Sequence, residues 1–508
     1  MRVLLVSTYD LGRQPFGLAS PAAWLRRAGV ETECVDTSRE SLSEETIRRA
    51  SIVAVYLPMH TATRLAAAVI DRVRLVNPAA TLVAYGLYAP LNAAWLRERG
   101  VSAVLGPEAE EDLVALAKSQ SPKPKAQTPK AKDEIPRLQF IQPDRSTLLP
   151  LQRYAALQMP DGSRRVVGAT EATRGCKHLC RHCPIVPVYR GAFRAIPVDV
   201  VLDDVRSQVA AGAQHISFGD PDFFNGPSHA RRIVERLAAE HPGVSYDVTI
   251  KIEHLLKHAD MLPLLHHTGC LFVTSAVESI DPVVLEALRK GHTREDLVKA
   301  VTLCREAGVR LSPTFVPFTP WTTPGGYVEL LEQLAALGLE EDVAPIQLGI
   351  RLLVTADSAL LELAEIRDLV EPFDPESLTF PWRHQDSAVD RLQSQVMQVV
   401  AGMPAAPRGE VFDAIDAVAR EAAQIQRLPP EGGSHASLSV ASAVPQASVA
   451  SASRRKNTAV PHMTEAWYCC AEPTTAKATV GRPAAAEASA SAKATADGTA
   501  GPDIASYV

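Results

Sequence analysis

The chain has 508 residues, 46 % of them hydrophobic, and a formal net charge of −6. That length accommodates two or three domains with real cores; the acidic balance offers no general nucleic-acid surface, and no apolar run approaches the roughly 18 residues a membrane span needs. The first residues run straight into a domain pattern rather than a leader, and eight cysteines in such a chain point to a reducing, cytoplasmic setting where thiols are free to bind metal.

Residues 1–118 alternate short apolar runs with amphipathic stretches. Strands are expected at residues 3–7, 52–57, 81–85 and 103–105, with helices at 20–28 and 63–76 between them. This βαβ alternation predicts a small doubly wound parallel sheet. Residues 119–147 begin with Pro122, Pro124 and Pro129 among lysines and read as a semi-rigid, solvated linker.

Residues 148–370 repeat a strand–helix unit, with strands expected at 166–173, 215–218, 246–252, 271–278, 310–316 and 346–353. Six such units predict a partial (βα)6 barrel, with the chemistry at the C-terminal ends of the strands. Behind the first strand comes Cys176-Lys177-His178-Leu179-Cys180-Arg181-His182-Cys183. Three thiols on one loop suit a 4Fe–4S cube with one iron left open, since clusters are held by thiolates and normally by four ligands. The competing use is a structural zinc site with His178 or His182 as fourth ligand, but no second Cys or His pair follows at finger-like distance.

The Cys-x3-Cys-x2-Cys spacing resembles that of the radical S-adenosylmethionine (SAM) superfamily. The resemblance implies that Cys176, Cys180 and Cys183 hold the cluster and that SAM chelates its open iron before reductive cleavage to a 5′-deoxyadenosyl radical. Phe218-Gly219-Asp220-Pro221 looks like the family's Gly-Gly-Glu-type element, which puts Gly219 and Asp220 at the SAM amino group. Ala276-Val277-Glu278-Ser279 is similar to its Val-Glu-Ser element, which puts Glu278 and Ser279 near the SAM amino acid or ribose. Lys251, Glu253 and Thr314 stand where they could face the same cavity. Arg351, a guanidinium in an apolar run, needs an anionic partner; a SAM carboxylate and a structural carboxylate both suit it.

Residues 1–118 resemble the cobalamin-binding-type domain that often precedes such barrels, which makes cobalamin a candidate cofactor. The family's cobalt-ligating histidine after the first strand has no counterpart in Thr8-Tyr9-Asp10-Leu11-Gly12-Arg13. Residues 371–428 read as a helical extension, and residues 429–508 as an Ala/Ser-rich tail too poor in large apolar residues to order itself. Within that tail, Trp467-Tyr468-Cys469-Cys470-Ala471-Glu472-Pro473 resembles the ending of the CUAEP/CCAEP-tail radical SAM proteins, some of which carry selenocysteine at the second thiol position. By that resemblance Cys469 and Cys470 would be catalytic, holding a soft atom or cycling between dithiol and disulfide.

The expected function is reductive SAM cleavage driving radical modification or group transfer on a small substrate of thiophilic (metalloid, selenium or sulfur) character, with an electron donor such as flavodoxin or ferredoxin. The alternative is a non-enzymatic metal-binding scaffold, or an RNA-modification partner, using its cysteines structurally.

Overall fold

The computed structural model describes residues 1–119, 138–427 and 460–465. In the N-terminal domain β1 (Arg2–Ser7), β2 (Glu31–Asp36), β3 (Ile52–Tyr56), β4 (Thr81–Tyr85) and β5 (Ala103–Val104) form one sheet in the order β2-β1-β3-β4-β5. All neighbours are parallel. Successive side chains serve opposite faces, so Leu4, Val6, Val53 and Val55 join one core while Val3, Leu5, Ile52 and Ala54 join the other. The helix His60–Val76 covers the first face and the helices Phe16–Arg27 and Glu110–Lys118 the second. The chain leaves β1 toward one side of the sheet and β3 turns to the other. That reversal opens a crevice beyond the strands' C-terminal ends, where open α/β sheets bind ligands.

The second domain contributes β6 (Ala156–Gln158), β7 (Arg164–Thr170), the hairpin β8 (Thr173–Gly175) and β9 (Phe193–Ala195), then β10 (His215–Phe218), β11 (Ser245–Thr249), β12 (Cys270–Glu278) and β13 (Arg310–Phe315). The curled sheet runs β13-β12-β11-β10-β7-β6-β14, the last strand being β14 (His462–Met463). Strands β7 and β10–β13 are parallel, and β6 and β14 extend the sheet antiparallel.

Three expectations are corrected. The sixth barrel strand does not form. Pro345 opens a 3-10 turn over Pro345–Leu348, and only an isolated bridge pairs Phe318 with Arg351. Residues 138–147 are not a solvated linker: Arg145 clamps the buried Asp204 carboxylate through Nε (2.8 Å) and Nη2 (2.9 Å) while Nη1 donates to Gln14, and Arg26 pairs with Asp144. The helices Ser387–Gly402 and Arg408–Arg427 lie in the stretch read as a helical extension, and they pack onto the barrel. Val389, Leu392, Val396, Phe412 and Ile415 are buried in the barrel's own core. Finally, part of the tail returns to the sheet as β14.

Candidate active site

The cysteine loop is aimed by a glycine. Gly175 sits at φ +76°, and a Cβ there would strike the Tyr189 ring and the Ala192 carbonyl, so only glycine turns the chain inward at Cys176. The loop is then tied down from both sides. The Lys177 N–H donates to Asn225 Oδ1 (3.1 Å), the Arg181 N–H to the Leu288 carbonyl (3.0 Å) and Arg181 Nη1 to the Ala287 carbonyl (2.9 Å). Cys176, Cys180 and Cys183 all line one cavity. Burial pushes the Cys176 thiol up to about 12 and the Cys180 thiol upward against the opposing pull of Lys290 and Lys251. Such thiols become ligands when a metal displaces their protons, and the donor set fits a cluster. A single tetrahedral zinc would draw its sulfurs to about 4 Å apart, given Zn–S bonds of about 2.3 Å. Among the described residues the triad whose donor atoms all lie within 4.8 Å is His178, Asp222 and His254, not the cysteines.

That triad supports the loop. Lys251 Nζ can only donate, so His178 Nδ1 accepts from it (3.2 Å) and His178 Nε2–H donates to Asp222 (3.0 Å). His254 approaches the same carboxylate at 2.7 Å. An ammonium at one end and a hydrogen-bonded carboxylate at the other make this a charge-balanced brace. Its members are far apart in sequence, and only the fold of β10 and β11 brings them together, which is why Asp222 and His254 escape sequence reading.

Gly219 and Asp220 follow β10 and line the cavity. The Asp220 carboxylate accepts the Ala172 N–H (2.9 Å) and the Thr173 hydroxyl (2.6 Å), so it clasps the break between β7 and β8. Burial lifts it to about 7 in spite of those two bonds. Glu278 closes β12 at φ +69°, a strained left-handed position beside the register shift with β13, and this turns its carboxylate into the cavity wall. Burial pushes that carboxyl up, but Lys290 (3.3 Å) and His182 (3.1 Å) outweigh it and hold it at about 2. Lys290 lines the cavity too and is thus a member of the site. Ser279 Oγ instead accepts the Asp281 N–H and shapes the next turn; it does not line the cavity. Arg351 is also elsewhere: Nη1 pairs with Asp390 (2.6 Å), Nη2 donates to the Trp382 carbonyl, and the guanidinium stacks 3.6 Å from the Trp382 ring. Its anion is a structural carboxylate.

The same cavity continues into the crevice of the N-terminal sheet, where Asp10, Leu11, Arg13, Tyr56, Gly86 and Leu87 line it. Two close approaches keep this side open. A Cβ on Gly17 would enter the Tyr56 ring, and Gly86 at φ +109° lies against the Leu57 backbone. Among the described residues, the N-terminal lining contains no histidine, cysteine or lysine. A corrin held against this wall would receive no histidine ligand from it. Arg174 bolts the two walls together, with Glu110 of the first domain and Glu171 of the second each at 2.8 Å.

Residues 170–336 match the family model of the Radical SAM superfamily. The chain carries a radical SAM domain. Among curated proteins it is similar to the bacteriochlorophyllide d C-12(1)-methyltransferase of Chlorobaculum tepidum, at 30% identity over 26% of this chain and 28% of that protein. It is also similar to the ribosomal protein uS12 methylthiotransferase RimO of Parabacteroides distasonis, at 26% identity over 31% of this chain and 38% of that one. The chain thus spans well under half the length of either relative. In fold it resembles the cobalamin-dependent SAM radical enzyme OxsB with aqua-cobalamin and SAM bound, at a TM-score of 0.63 and 13% identity over 84% of this chain and 72% of that one. It resembles the radical SAM methyltransferase TsrM of Kitasatospora setae at 0.55 and 16%, over 84% and 99% of the two chains. The radical SAM match contains the cysteine loop, Asp220, Glu278, Ser279 and Lys290; Arg351 falls beyond it. Cys469 and Cys470 lie outside the described residues. No described helix is long and apolar enough to cross a membrane.

Proposed function

We propose that this protein is a group-transfer radical SAM enzyme, of methyl or methylthio type, acting on a small substrate held between the barrel and the N-terminal crevice. One observation carries the reading: a single cavity is lined both by the three thiols and by the switch-point crevice. A transfer enzyme needs its SAM-cleaving and group-carrying sides to share one dry space, because a carbon radical is quenched by any nearby hydrogen donor. Similarity to a methyltransferase and a methylthiotransferase in sequence, and to cobalamin-dependent enzymes in fold, supports the same choice.

The work of each residue follows from its surroundings. Cys176, Cys180 and Cys183 would hold the 4Fe–4S cluster, which when bound supplies the electron that breaks the SAM sulfonium bond. A corrin in the crevice of Tyr56, Gly86 and Leu87 would supply a methyl carrier. Glu278, kept ionised by Lys290 and His182, accepts hydrogen bonds from the cationic end or ribose of SAM. Asp220 fixes the turn that sets the cysteine loop and offers its edge to the same ligand. Phe218, Val316 and Ile350 present apolar surface that keeps water out. Reduction calls for a one-electron donor such as flavodoxin or ferredoxin, and the tail thiols Cys469 and Cys470 would meet a thiophilic substrate atom.

Anaerobically reconstituted full-length protein, given SAM labelled in its methyl group, tests this. Expected are a 4Fe–4S absorbance, corrin bound at one per chain, and label transferred to a substrate, with 5′-deoxyadenosine or S-adenosylhomocysteine released. Stoichiometric zinc in place of iron, with no SAM cleavage, would overturn it.

A further inference from the structure

We propose that residues 460–465 are a latch that fixes the root of the tail at the crease between the two domains, with Arg39 and Gly12 as its seat and Glu465 as its bolt. This rests on the reading of the shared cavity as the reaction site and goes beyond it by naming residues that position the tail thiols. Three observations converge. First, Val460 is buried among Leu157, Val167 and Phe272, and β14 pairs with β6 in the register His462↔Gln158 and Met463↔Leu157. The ladder continues past the strand, with Thr464 N–H donating to the Ala156 carbonyl (2.9 Å) and Ala156 N–H to Thr464 Oγ1 (3.0 Å).

Second, the Glu465 carboxylate pairs with Arg39, whose guanidinium also lies 5.8 Å from the centre of the Tyr154 ring. The same carboxylate fills the space a Cβ on Gly12 would take, and Gly12 sits at φ +69° with its carbonyl accepting the Ala155 N–H of the barrel (2.8 Å). Third, the neighbours of Gly12 on either side, Leu11 and Arg13, line the cavity. Glu465 therefore rests against the outside of the cavity wall. Cys469 and Cys470 follow four and five residues later. An extended chain covers at most about 3.3–3.6 Å per residue, so a tether of four or five residues is a short one. Without the latch the tail's nearest described tether is the end of the helix Arg408–Arg427, more than thirty residues earlier. Short tethers raise effective concentration, and long ones dilute it.

Cross-linking in the full-length protein tests the latch without reference to catalysis. Cysteine is placed at the cavity wall by Arg13→Cys, and a short bismaleimide is used to join it to Cys469 or Cys470, with the product located by mass spectrometry. Arg39→Ala and Glu465→Ala are each expected to slow that cross-link by about two- to fivefold, the scale of one lost ion pair. The double variant should be no slower than either single one, the signature of two residues acting as one contact. An unchanged rate in either single variant, or full additivity, would overturn the latch. Since this readout needs no turnover, loss of the enzyme reading leaves it standing, and loss of the latch leaves SAM cleavage untouched.

Discussion

At the scale of single residues, the site separates groups that bind ligand from groups that only look placed to do so. Each of Cys176→Ala, Cys180→Ala and Cys183→Ala is expected to abolish the broad iron–sulfur absorbance and all 5′-deoxyadenosine release, measured after anaerobic reconstitution. Glu278→Gln keeps the shape but loses the charge that Lys290 and His182 stabilise. SAM binding should weaken by about 1.5–3 kcal/mol, the worth of a hydrogen bond to a charged group, with iron content unchanged. An unaltered SAM dissociation constant would remove Glu278 from the site. Arg351→Met, by contrast, should leave SAM affinity alone and lower the melting temperature, because it strips Asp390 of its partner.

Protonation divides the carboxylates in the same way. Burial lifts Asp10 and Asp220 from the ordinary 3.8 to about 7, so the folded chain holds those protons more tightly than the unfolded one. Their contribution to stability is complete below pH 3.8 and is lost as pH rises through 7. In cluster-free protein this predicts a melting temperature that falls across that window, by roughly 1.4 kcal/mol of stability per pH unit for each group while it titrates. Asp10→Asn and Asp220→Asn should each flatten the decline. A flat profile in the unaltered chain would show that the two acids are solvated.

Among secondary elements, what the sequence discloses depends on whether a segment's pattern is local. Strands β1, β3 and β4 are nearly continuous apolar runs that serve two cores, and such runs are legible without partners. Strand β2 is Glu31-Thr-Glu-Cys-Val-Asp36, polar because it is an edge of the sheet, and it gives no such signal. The run 346–353 is apolar yet forms a turn, since Pro345 and Gly349 break it and Arg351 is drawn to Asp390. Site residues follow the same rule. The cysteine spacing is local and legible, and so is Glu278 at a strand end. Lys290 meets Glu278 only because Arg289 and Gly291 take left-handed φ values that turn the segment back. The brace of His178, Asp222, His254 and Lys251 is assembled from three strand ends and has no linear signature.

The strap at residues 138–147 can be tested as an element. Asp204 takes two bonds from Arg145 and one from Thr170, with a fourth contact from Gln208, all in the interior. Removing one partner of a buried pair costs about 3–5 kcal/mol. Asp204→Ala should therefore lower the denaturation midpoint by a corresponding amount, read by urea titration, whereas Asp144→Ala, whose partner Arg26 is more exposed, should shift it much less. Equal effects from both would mean that the strap carries no load at Arg145. In the tail, truncation after Pro473 should be silent, and truncation before Glu465 should stop product formation while SAM cleavage persists.

For the molecule as a whole, the two domains are not independent bodies joined by a linker. Cys176, Ile185, Val188, Tyr189 and Ala192, all from the barrel's cysteine loop and its flanks, are buried in the core of the N-terminal domain, and Phe16 of that domain is buried in the barrel's core. Each domain supplies a piece of the other's interior. During synthesis the N-terminal sheet emerges first, with an apolar socket that nothing in its own sequence can fill. The segment that fills it is the one bearing the thiols, made about seventy residues after the sheet's last strand. Iron loading is then expected to follow docking, because Cys176 and the Ile185–Ala192 flank are seated in that core. A barrel expressed alone would be an iron-poor, aggregation-prone fragment, and a chimaera that borrows a relative's N-terminal domain would have to borrow residues 185–192 with it.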